Sequence, residues 1–197
     1  MKNINLAHHK TIVGGTMLLG CLLSISGCAT GDTPTARRSN AEHETAQALT
    51  QIYQAHPVAK ADVANSLGYL VCTGTDNYLF AAASGAGICT LHSKGNLEYY
   101  RFASMGAGIG IGFKKVSFLY TFHDAEALRR LREEGWDAGA RAEASAKHDQ
   151  NGGQVASNTS YDVKGVNVYQ AVIWGAAAQA TVQGYKFWPT DFSDDVM

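Results

Sequence analysis

Cys28 lies in the sequence surroundings of a cysteine that is modified with lipid. It follows an apolar run, residues 11–25, and comes directly after two small residues, Ser26 and Gly27. Lysines precede the run and no acidic residue does, while a membrane-spanning helix would need about 20 apolar residues. The pattern is typical of a bacterial lipoprotein signal peptide over residues 1–27. We therefore expect Cys28 to carry a diacylglycerol and to become the mature N-terminus.

The residue after this cysteine bears on the destination of the protein. In similar lipoproteins, a residue other than aspartate directly after the cysteine usually goes with the outer membrane, and this chain has Ala29 there. We therefore expect a lipid anchor in the outer membrane, on its periplasmic side. Two alternatives remain at this point. The segment could be an ordinary secretory signal with an incidental cysteine, or processing could occur at Cys21, which would leave the apolar residues 22–25 on the mature chain.

A group of basic side chains has the composition of a site for lipid headgroups. Lys114 and Lys115 fall in a predicted turn between two apolar strands, and Arg129, Arg130 and Arg132 fall on the predicted helix that follows. If folding brings these five side chains together, they could attract the phosphate groups of a phospholipid surface. Solvated charges, balanced by glutamates on the same helix, are the alternative interpretation.

Cys72 and Cys89 are the thiols that remain in the mature chain after Cys28. An even pair in an oxidising compartment allows a disulfide. Two separate buried thiols, acting as small apolar side chains, are an equally good interpretation. The sequence leaves both open.

Other chemistry has little support in the sequence. The histidines show no close spacing of the kind that metal ligands have, and no serine stands in a nucleophile motif. Residues 106–110 have the form of a nucleotide-binding loop, but an apolar strand continues through them and no helix follows. The sequence therefore predicts no metal, no cofactor and no enzyme activity.

Composition limits the class of partner. The mature chain of about 170 residues is long enough for one domain. After the two lysines of the signal are removed, 14 basic residues face 17 acidic ones, which argues against nucleic acid. We expect membrane phospholipid as a partner, and the sequence indicates no particular protein partner.

The pattern of apolar and turn-forming residues predicts a tether over residues 28–40 and a domain over residues 41–197. Helices are predicted over residues 41–55, with the apolar side against a sheet, over residues 59–65, and from an Asp124 cap through Glu134. Residues 136–147 are ambiguous between helix and strand, and residues 148–158 are predicted to be a loop. Strand-like runs at close spacing fill the remainder: 67–73, 78–83, 87–92, 97–104, 107–113, 116–122, 161–163, 166–174 and 176–187. Turns are predicted between the earlier runs, at residues 74–77, 84–85, 93–96 and 114–115. The pattern is typical of an α+β fold with a curled antiparallel sheet or partial β-barrel, an N-terminal helix and one main internal helix.

Three segments carry a family resemblance. They are YYRFASMGAGIGIG at residues 99–112, the Glu-Ala-Leu sequence at residues 126–128, and GWDAG at residues 135–139. In this order they resemble the SYLF domain family, also described as a lipid-binding or actin-regulator family, over residues 61–189. The resemblance implies a strand over residues 136–147 and a non-enzymatic, lipid-binding function. It also implies a membrane-surface role for the N-terminal helix, but Glu42 and Glu44 give that helix the wrong charge.

These observations together predict a cell-envelope lipoprotein whose SYLF-like domain interacts with phospholipid at the membrane surface. The alternative is a structural or protein–protein interaction module of the envelope, in which lipid serves only as the covalent anchor.

Overall fold

The computed structural model describes residues 31–135, 137–145, 159–162 and 165–193, and shows three helices and an antiparallel sheet. The strands lie in the order β1-β2-β5-β3, with β4 also paired to β5. The sheet curls without closing on itself, so the predicted α+β class with a curled sheet is confirmed. The elements are α1 (Pro34–Ala55), α2 (Ala59–Asn65), β1 (Gly68–Ser93), β2 (Asn96–Phe122), α3 (Ala125–Glu134), β3 (Asp137–Ser145), β4 (Thr159–Asp162) and β5 (Val166–Pro189).

A very long hairpin, formed by β1 and β2, dominates the sheet. Its pairing runs from Gly68 opposite Phe122 to Ser93 opposite Asn96. Lys94 and Gly95, with φ of 51° and 79°, form the turn, which is the backbone geometry that two-residue hairpins favour. The turn that the sequence predicts over residues 93–96 is thus confirmed.

β1 doubles back so that its two halves lie side by side. A Cβ added to Gly87 would lie 2.7 Å from the Cα of Gly74, which means that the two backbones touch at this level. Further along, the rings of Tyr69 and His92 stack with centroids 4.7 Å apart. Because β2 follows β1 throughout, the whole hairpin bends in its middle, and this bend gives the sheet its curl.

Alternation along β2 creates two different faces. Even-numbered side chains such as Phe118 and Tyr120 form the main core with Leu128 and Leu131 of α3. Odd-numbered residues face the other side, where Leu119 packs with Ile52 of α1. We call these the α3 face and the α1 face of the sheet.

The first helix begins earlier than the sequence predicts. α1 starts at Pro34, where the hydroxyl of Thr33 accepts a hydrogen bond of 3.2 Å from the backbone N–H of Ala36. Proline at the first helical position lacks the N–H that would be unpaired there anyway. Most of the predicted tether, residues 28–40, is therefore helical. The packing of Ile52 and its neighbours confirms that the apolar side of the helix lies on the sheet.

The division of the long strands was predicted incorrectly. Residues 74–77, 84–85 and 114–115 were expected to be turns, and all of them lie within β1 or β2. Lys115 stands at a register shift in the pairing of β2 with β5, and residues 74–77 and 84–85 pair regularly with β2, so none of these segments ends a strand. Residues 166–187 likewise form part of one strand, β5, and not two.

The smaller elements agree with the sequence. α2 lies where it was expected, and Asp124 caps α3 by accepting a hydrogen bond of 3.1 Å from the N–H of Glu126. Residues 137–145 form β3, which resolves the ambiguity in favour of a strand. The predicted loop over residues 148–158 and the signal segment with Cys28 lie outside the described residues.

Candidate functional site

Lys114 and Lys115 do not share a surface. Adjacent residues of a strand face opposite sides, and both lysines lie within β2. Lys114 is on the α3 face, where it is only 5% exposed and its Nζ lies 5.3 Å from the centre of the Tyr78 ring. Lys115 is on the α1 face, where its Nζ is 3.6 Å from a carboxylate oxygen of Glu44. The predicted pair of exposed turn lysines is therefore wrong.

The arginines of α3 are engaged with glutamates. Arg129 bonds Glu126, with Nη2 2.6 Å from Oε1, and also bonds Glu133. The hydrogen bond to Glu126 and the charges of both glutamates raise the pKa of Arg129. Arg132 lies 2.6 Å from Glu98 of β2, and this hydrogen bond raises its pKa as well. These contacts balance much of the positive charge on the helix.

The five basic residues that the sequence grouped are therefore not brought into one exposed face. Arg129, Arg130 and Arg132 lie on α3, which packs on the face opposite to α1, while Lys114 is buried and Lys115 points to α1. The error has one cause. Two lysines that would be neighbours in a turn are separated by the thickness of the sheet in a strand.

Lys114 instead belongs to a buried polar cluster at the bend. It is the cross-strand partner of Asp76, which is fully buried. Asp76 Oδ2 accepts a hydrogen bond from the hydroxyl of Tyr78 (3.3 Å) and lies 3.5 Å from the hydroxyl of Tyr185. The single hydrogen of the Tyr185 hydroxyl is donated at the shorter distance, 2.9 Å, to Oε1 of Gln183. Buried charges are tolerated when they are paired and hydrogen-bonded. This cluster fixes how the strands lie at the bend.

Cys72 and Cys89 form a disulfide, which settles the alternative that the sequence left open. The Sγ atoms are 2.04 Å apart, the Cα atoms are 4.0 Å apart, and both residues are fully buried. The bond joins the two halves of β1 within the main core. It therefore covalently holds the doubled arrangement of the hairpin.

Asp62 of α2 is the centre of a second polar cluster, at the far end of the α1 face. Its carboxylate accepts hydrogen bonds from Thr121, from Asn167 (3.1 Å) and from Tyr169 (3.1 Å), and lies 2.9 Å from Nε2 of His123. Burial alone would raise the pKa of Asp62, but these hydrogen bonds and His123 outweigh it and lower the pKa. Burial and the bond to Asp62 raise the pKa of Tyr169 to about 12. The arrangement ties α2 to β2 and β5.

The middle of the α1 face carries a row of exposed apolar side chains. Met105 and Ile109 are 79% and 80% exposed, although α1 covers the same face toward both ends of β2. The members lie on both arms of the bent hairpin, since Met105 pairs with Ser84 after the register shift in β1 and Ile111 pairs with Leu79 before it. They are Met105, Ile109, Ile111 and Phe113 of β2, Leu79 of β1 and Trp174 of β5, and we call them the apolar row.

The apolar row is continuous across the strands. Leu79 is the cross-strand partner of Ile111, and the rings of Phe113 and Trp174 meet edge to face with centroids 5.5 Å apart. Along β2 the row extends over the nine residues 105–113, which is about 26 Å measured along the strand through the bend. Exposed apolar patches of this kind mark surfaces that bind proteins or membranes.

Sequence analysis missed the apolar row, although a signal for it was present. The glycines at 106, 108, 110 and 112 alternate with apolar residues along β2. Alternation of this kind predicts that one side of a strand is apolar but not whether that side is covered. Among the described elements, α1 packs on this face toward the ends of β2 and leaves the row between them exposed.

Other kinds of site were sought within the part of the chain that the structure describes. There, no group of three or more histidine, cysteine or acidic side chains is placed to hold a metal ion. None of the described helices is both long enough and apolar enough to cross a membrane. A scan against protein-family models and a search of curated proteins find no match to this chain.

Proposed function

We propose that the protein is a non-enzymatic lipoprotein of the cell envelope, anchored through Cys28 on the periplasmic side of the outer membrane, whose SYLF-like domain contacts phospholipid. The observation that carries this proposal is the apolar row. Ile109 is a large apolar side chain that is mostly exposed to water. The transfer of such a side chain from water into an apolar phase is favourable. Each one that is fully buried contributes about 1.5–3 kcal/mol.

The course of the chain supports a membrane as the occupant of this surface. The apolar row and α1 lie on the same face of the sheet. Only residues 29–33 lie between the proposed acylated cysteine and Pro34, the first residue of α1. The six steps from residue 28 to residue 34 span at most about 20 Å. A bilayer that holds the anchor is therefore within reach of the face that carries the apolar row.

Two attachments of this kind would reinforce each other. The covalent anchor keeps the domain at a high effective concentration beside the bilayer, so that even a weak contact is occupied. The apolar row then orients the domain with its α1 face toward the lipid. Attachment and orientation of this kind require no catalytic residues.

A vesicle-binding assay on the non-acylated chain tests the proposal. The chain from Ala29 onward contains every described helix and strand and the whole described core, and it folds as a unit on that account. We expect it to co-sediment with phosphatidylcholine vesicles. Replacing Ile109 and Ile111 with serine should abolish this binding and leave the melting temperature nearly unchanged, because both side chains are exposed.

A matched control uses apolar residues that are exposed elsewhere. Val58 and Leu67 lie outside the apolar row, at the two ends of α2, and are also exposed. Their replacement with serine should leave vesicle binding intact. If the unmodified chain does not bind vesicles, or if both double variants bind as it does, the proposal fails and a protein-interaction module becomes the better interpretation of the apolar row.

A further inference from the structure

The bend of the hairpin has an inside and an outside. We call the two parts of the hairpin, before and after the register shift in β1, its arms. On the α3 face the two arms contact each other: the ring centres of Phe118 and Phe102 lie 6.1 Å apart. The carboxylate of Asp76, on the first arm, lies 3.5 Å from the hydroxyl of Tyr185, which pairs with the second. The α3 face is therefore the inside of the bend, and the α1 face, with the apolar row, is its outside.

Ile109 lies at the centre of the bend. The register shift in β1 leaves it between the last pair of one arm, Phe80 with Gly110, and the first pair of the other, Ala82 with Ala107. It is also the most exposed member of the apolar row. The centre of the bend thus presents a large apolar side chain on the outside of the molecule.

A tryptophan lies on the outside of each arm. Trp174 pairs with Lys115 on one arm and Trp188 pairs with Arg101 on the other, and their side chains are 48% and 39% exposed. The register shift in β5 places Trp174 there, since without the extra residue its side chain would face the inside of the bend. Tryptophan is enriched where a membrane meets water, because it combines an apolar ring with a polar N–H.

The bend between these tryptophans is formed by uncharged parts of three strands. Lysine, arginine, aspartate and glutamate are all absent from residues 77–84 of β1, 105–113 of β2 and 174–184 of β5. Arg141 and Glu143 of β3 pair with Gln183 and Thr181, which lie on the inside of the bend. Because charged side chains are costly in hydrocarbon, this composition permits the outside of the bend to enter an apolar phase.

We infer that the bend enters a single leaflet of the membrane with its centre foremost, so that Ile109 lies deepest and Trp174 and Trp188 lie at the level of the headgroups. The inside faces of the two arms are turned toward each other, so their outsides diverge. A planar surface can therefore meet both arms only at the bend. The inference rests on the proposed function and deepens it, because it names the hydrocarbon of one leaflet as the phase that receives the apolar row.

Distances along the strands agree with the thickness of one leaflet. Ile109 is six residues from Lys115, the partner of Trp174, and eight from Arg101, the partner of Trp188. These separations are about 20 and 26 Å along the strand. An inclination of about 45°, usual for strands in a bilayer, reduces them to about 14 and 19 Å of depth, against about 15 Å for the hydrocarbon of one leaflet. Both tryptophans are then near the interface while Ile109 remains within the same leaflet.

The depth of each residue can be measured by quenching of tryptophan fluorescence. The vesicles are made of phosphatidylcholine that carries bromine either near the headgroup or near the end of the acyl chains. The chain from Ala29 onward has three tryptophans, and each tested variant keeps only Trp174, only Trp188, or only the indole of Ile109→Trp, with phenylalanine at the other natural positions. We expect Ile109→Trp to lose more fluorescence to the deep bromines, and Trp174 and Trp188 to lose more to the shallow ones.

Two further variants in the same background complete the test. Val58→Trp is the matched control, because Val58 is exposed at the start of α2, outside the apolar row, and its fluorescence should be lost to neither kind of bromine. Met105→Trp repeats the measurement at a second exposed position of the row. It should report a depth between those of Ile109→Trp and Trp188.

The outcomes distinguish this inference from the proposed function. If Ile109→Trp is quenched no more by the deep bromines than by the shallow ones, the row rests on the surface of the membrane. The inference is then overturned, even when vesicle binding still depends on Ile109 and Ile111. If Trp188 is quenched by neither kind of bromine, only one arm meets the membrane, and the inference is overturned as well. If the natural chain does not bind vesicles, the proposed function fails together with the inference.

Discussion

Cys72 and Cys89 are bonded to each other across two halves of a single strand. Most residues so close in sequence that lie side by side in a sheet are connected by a tight turn between two strands. Here the chain between the two cysteines passes through the bend of β1 and remains paired with β2, apart from one register shift. The disulfide closes the base of this bend, above which Leu79 of the apolar row is displayed.

Loss of the disulfide should lower the stability of the fold. The bond closes a loop with a sequence separation of 17 residues, for which restriction of the unfolded chain accounts for about 3 kcal/mol. We expect the Cys72→Ala, Cys89→Ala variant to lose about this much free energy of unfolding, measured with urea. A dithiol reductant should lower the free energy of unfolding of the natural chain, because unfolding exposes the buried disulfide to reduction. It should not change the free energy of unfolding of the variant, which has no disulfide. Equal free energies of unfolding for the two chains would mean that the disulfide does not contribute to the stability of the fold.

The close approach of the two halves of β1 can be tested with a methyl group. An alanine Cβ at Gly87 would lie 2.7 Å from the Cα of Gly74 and press on backbone that cannot move aside. Gly87→Ala should therefore cost about 1–3 kcal/mol or more. Gly184→Ala in β5 is the matched control, since nothing lies within 4 Å of the added atom. The measurement is the melting temperature of each variant. Equal melting temperatures for the two variants would show that the backbones do not touch at Gly87.

The elements that could be predicted from the sequence are those determined by residues close to one another in the chain. α3 could be located from the Asp124 cap and the leucines at 128 and 131, because these signals act within a few residues. The long strands could not be predicted. Asp76 and Asn77 have turn composition, and what keeps them in a strand is pairing with Lys114 and Phe113, nearly forty residues away.

The candidate surface was predictable only in part. The apolar parity of β2 is visible in the sequence, but its exposure depends on where α1 crosses the sheet. The arginines at 37 and 38 were placed in a tether, and their contacts with Asp191 and Phe192 span the whole domain. No local pattern encodes either relationship.

Acylation of Cys28 remains a prediction from the sequence. Cys28→Ser in the full chain should leave an unprocessed precursor, because the thiol that receives the diacylglycerol is missing. Incorporation of a labelled fatty acid, followed by electrophoresis, measures this directly. Cys21→Ser serves as the control and should be labelled normally. Undiminished labelling of the Cys28 variant would place the anchor elsewhere.

The Asp62 cluster should make stability depend on pH in the acidic range. Its pKa is lowered in the folded state, so the carboxylate stabilises the fold fully above its unfolded pKa of about 3.9. This contribution is lost as the pH falls through the lower, folded pKa. Asp62→Asn lacks the titrating group. The difference in free energy of unfolding between the two chains should shrink as the pH falls below about 4. A difference that grew with acidity in that range would contradict the assignment.

Phe80 offers a test in which stability and membrane contact respond differently. This aromatic residue has a φ of 53° at the register shift in β1, directly after Leu79 of the apolar row, and its side chain is 76% exposed. An L-residue pays about 1–2 kcal/mol for such a backbone conformation, which glycine adopts freely. The greater freedom of glycine in the unfolded chain offsets about 0.5–1 kcal/mol of that gain.

Phe80→Gly should therefore melt no lower than the natural chain, and yet bind vesicles more weakly because an exposed aromatic ring is gone. Phe80→Leu is the informative comparison: it keeps the strained backbone and an apolar side chain, and should retain most of the binding. The measurements are calorimetry and vesicle co-sedimentation on the same preparations. If the glycine variant bound vesicles as well as the natural chain, the bend of β1 would not reach the lipid, and the membrane contact would be confined to the β2 and β5 members of the apolar row.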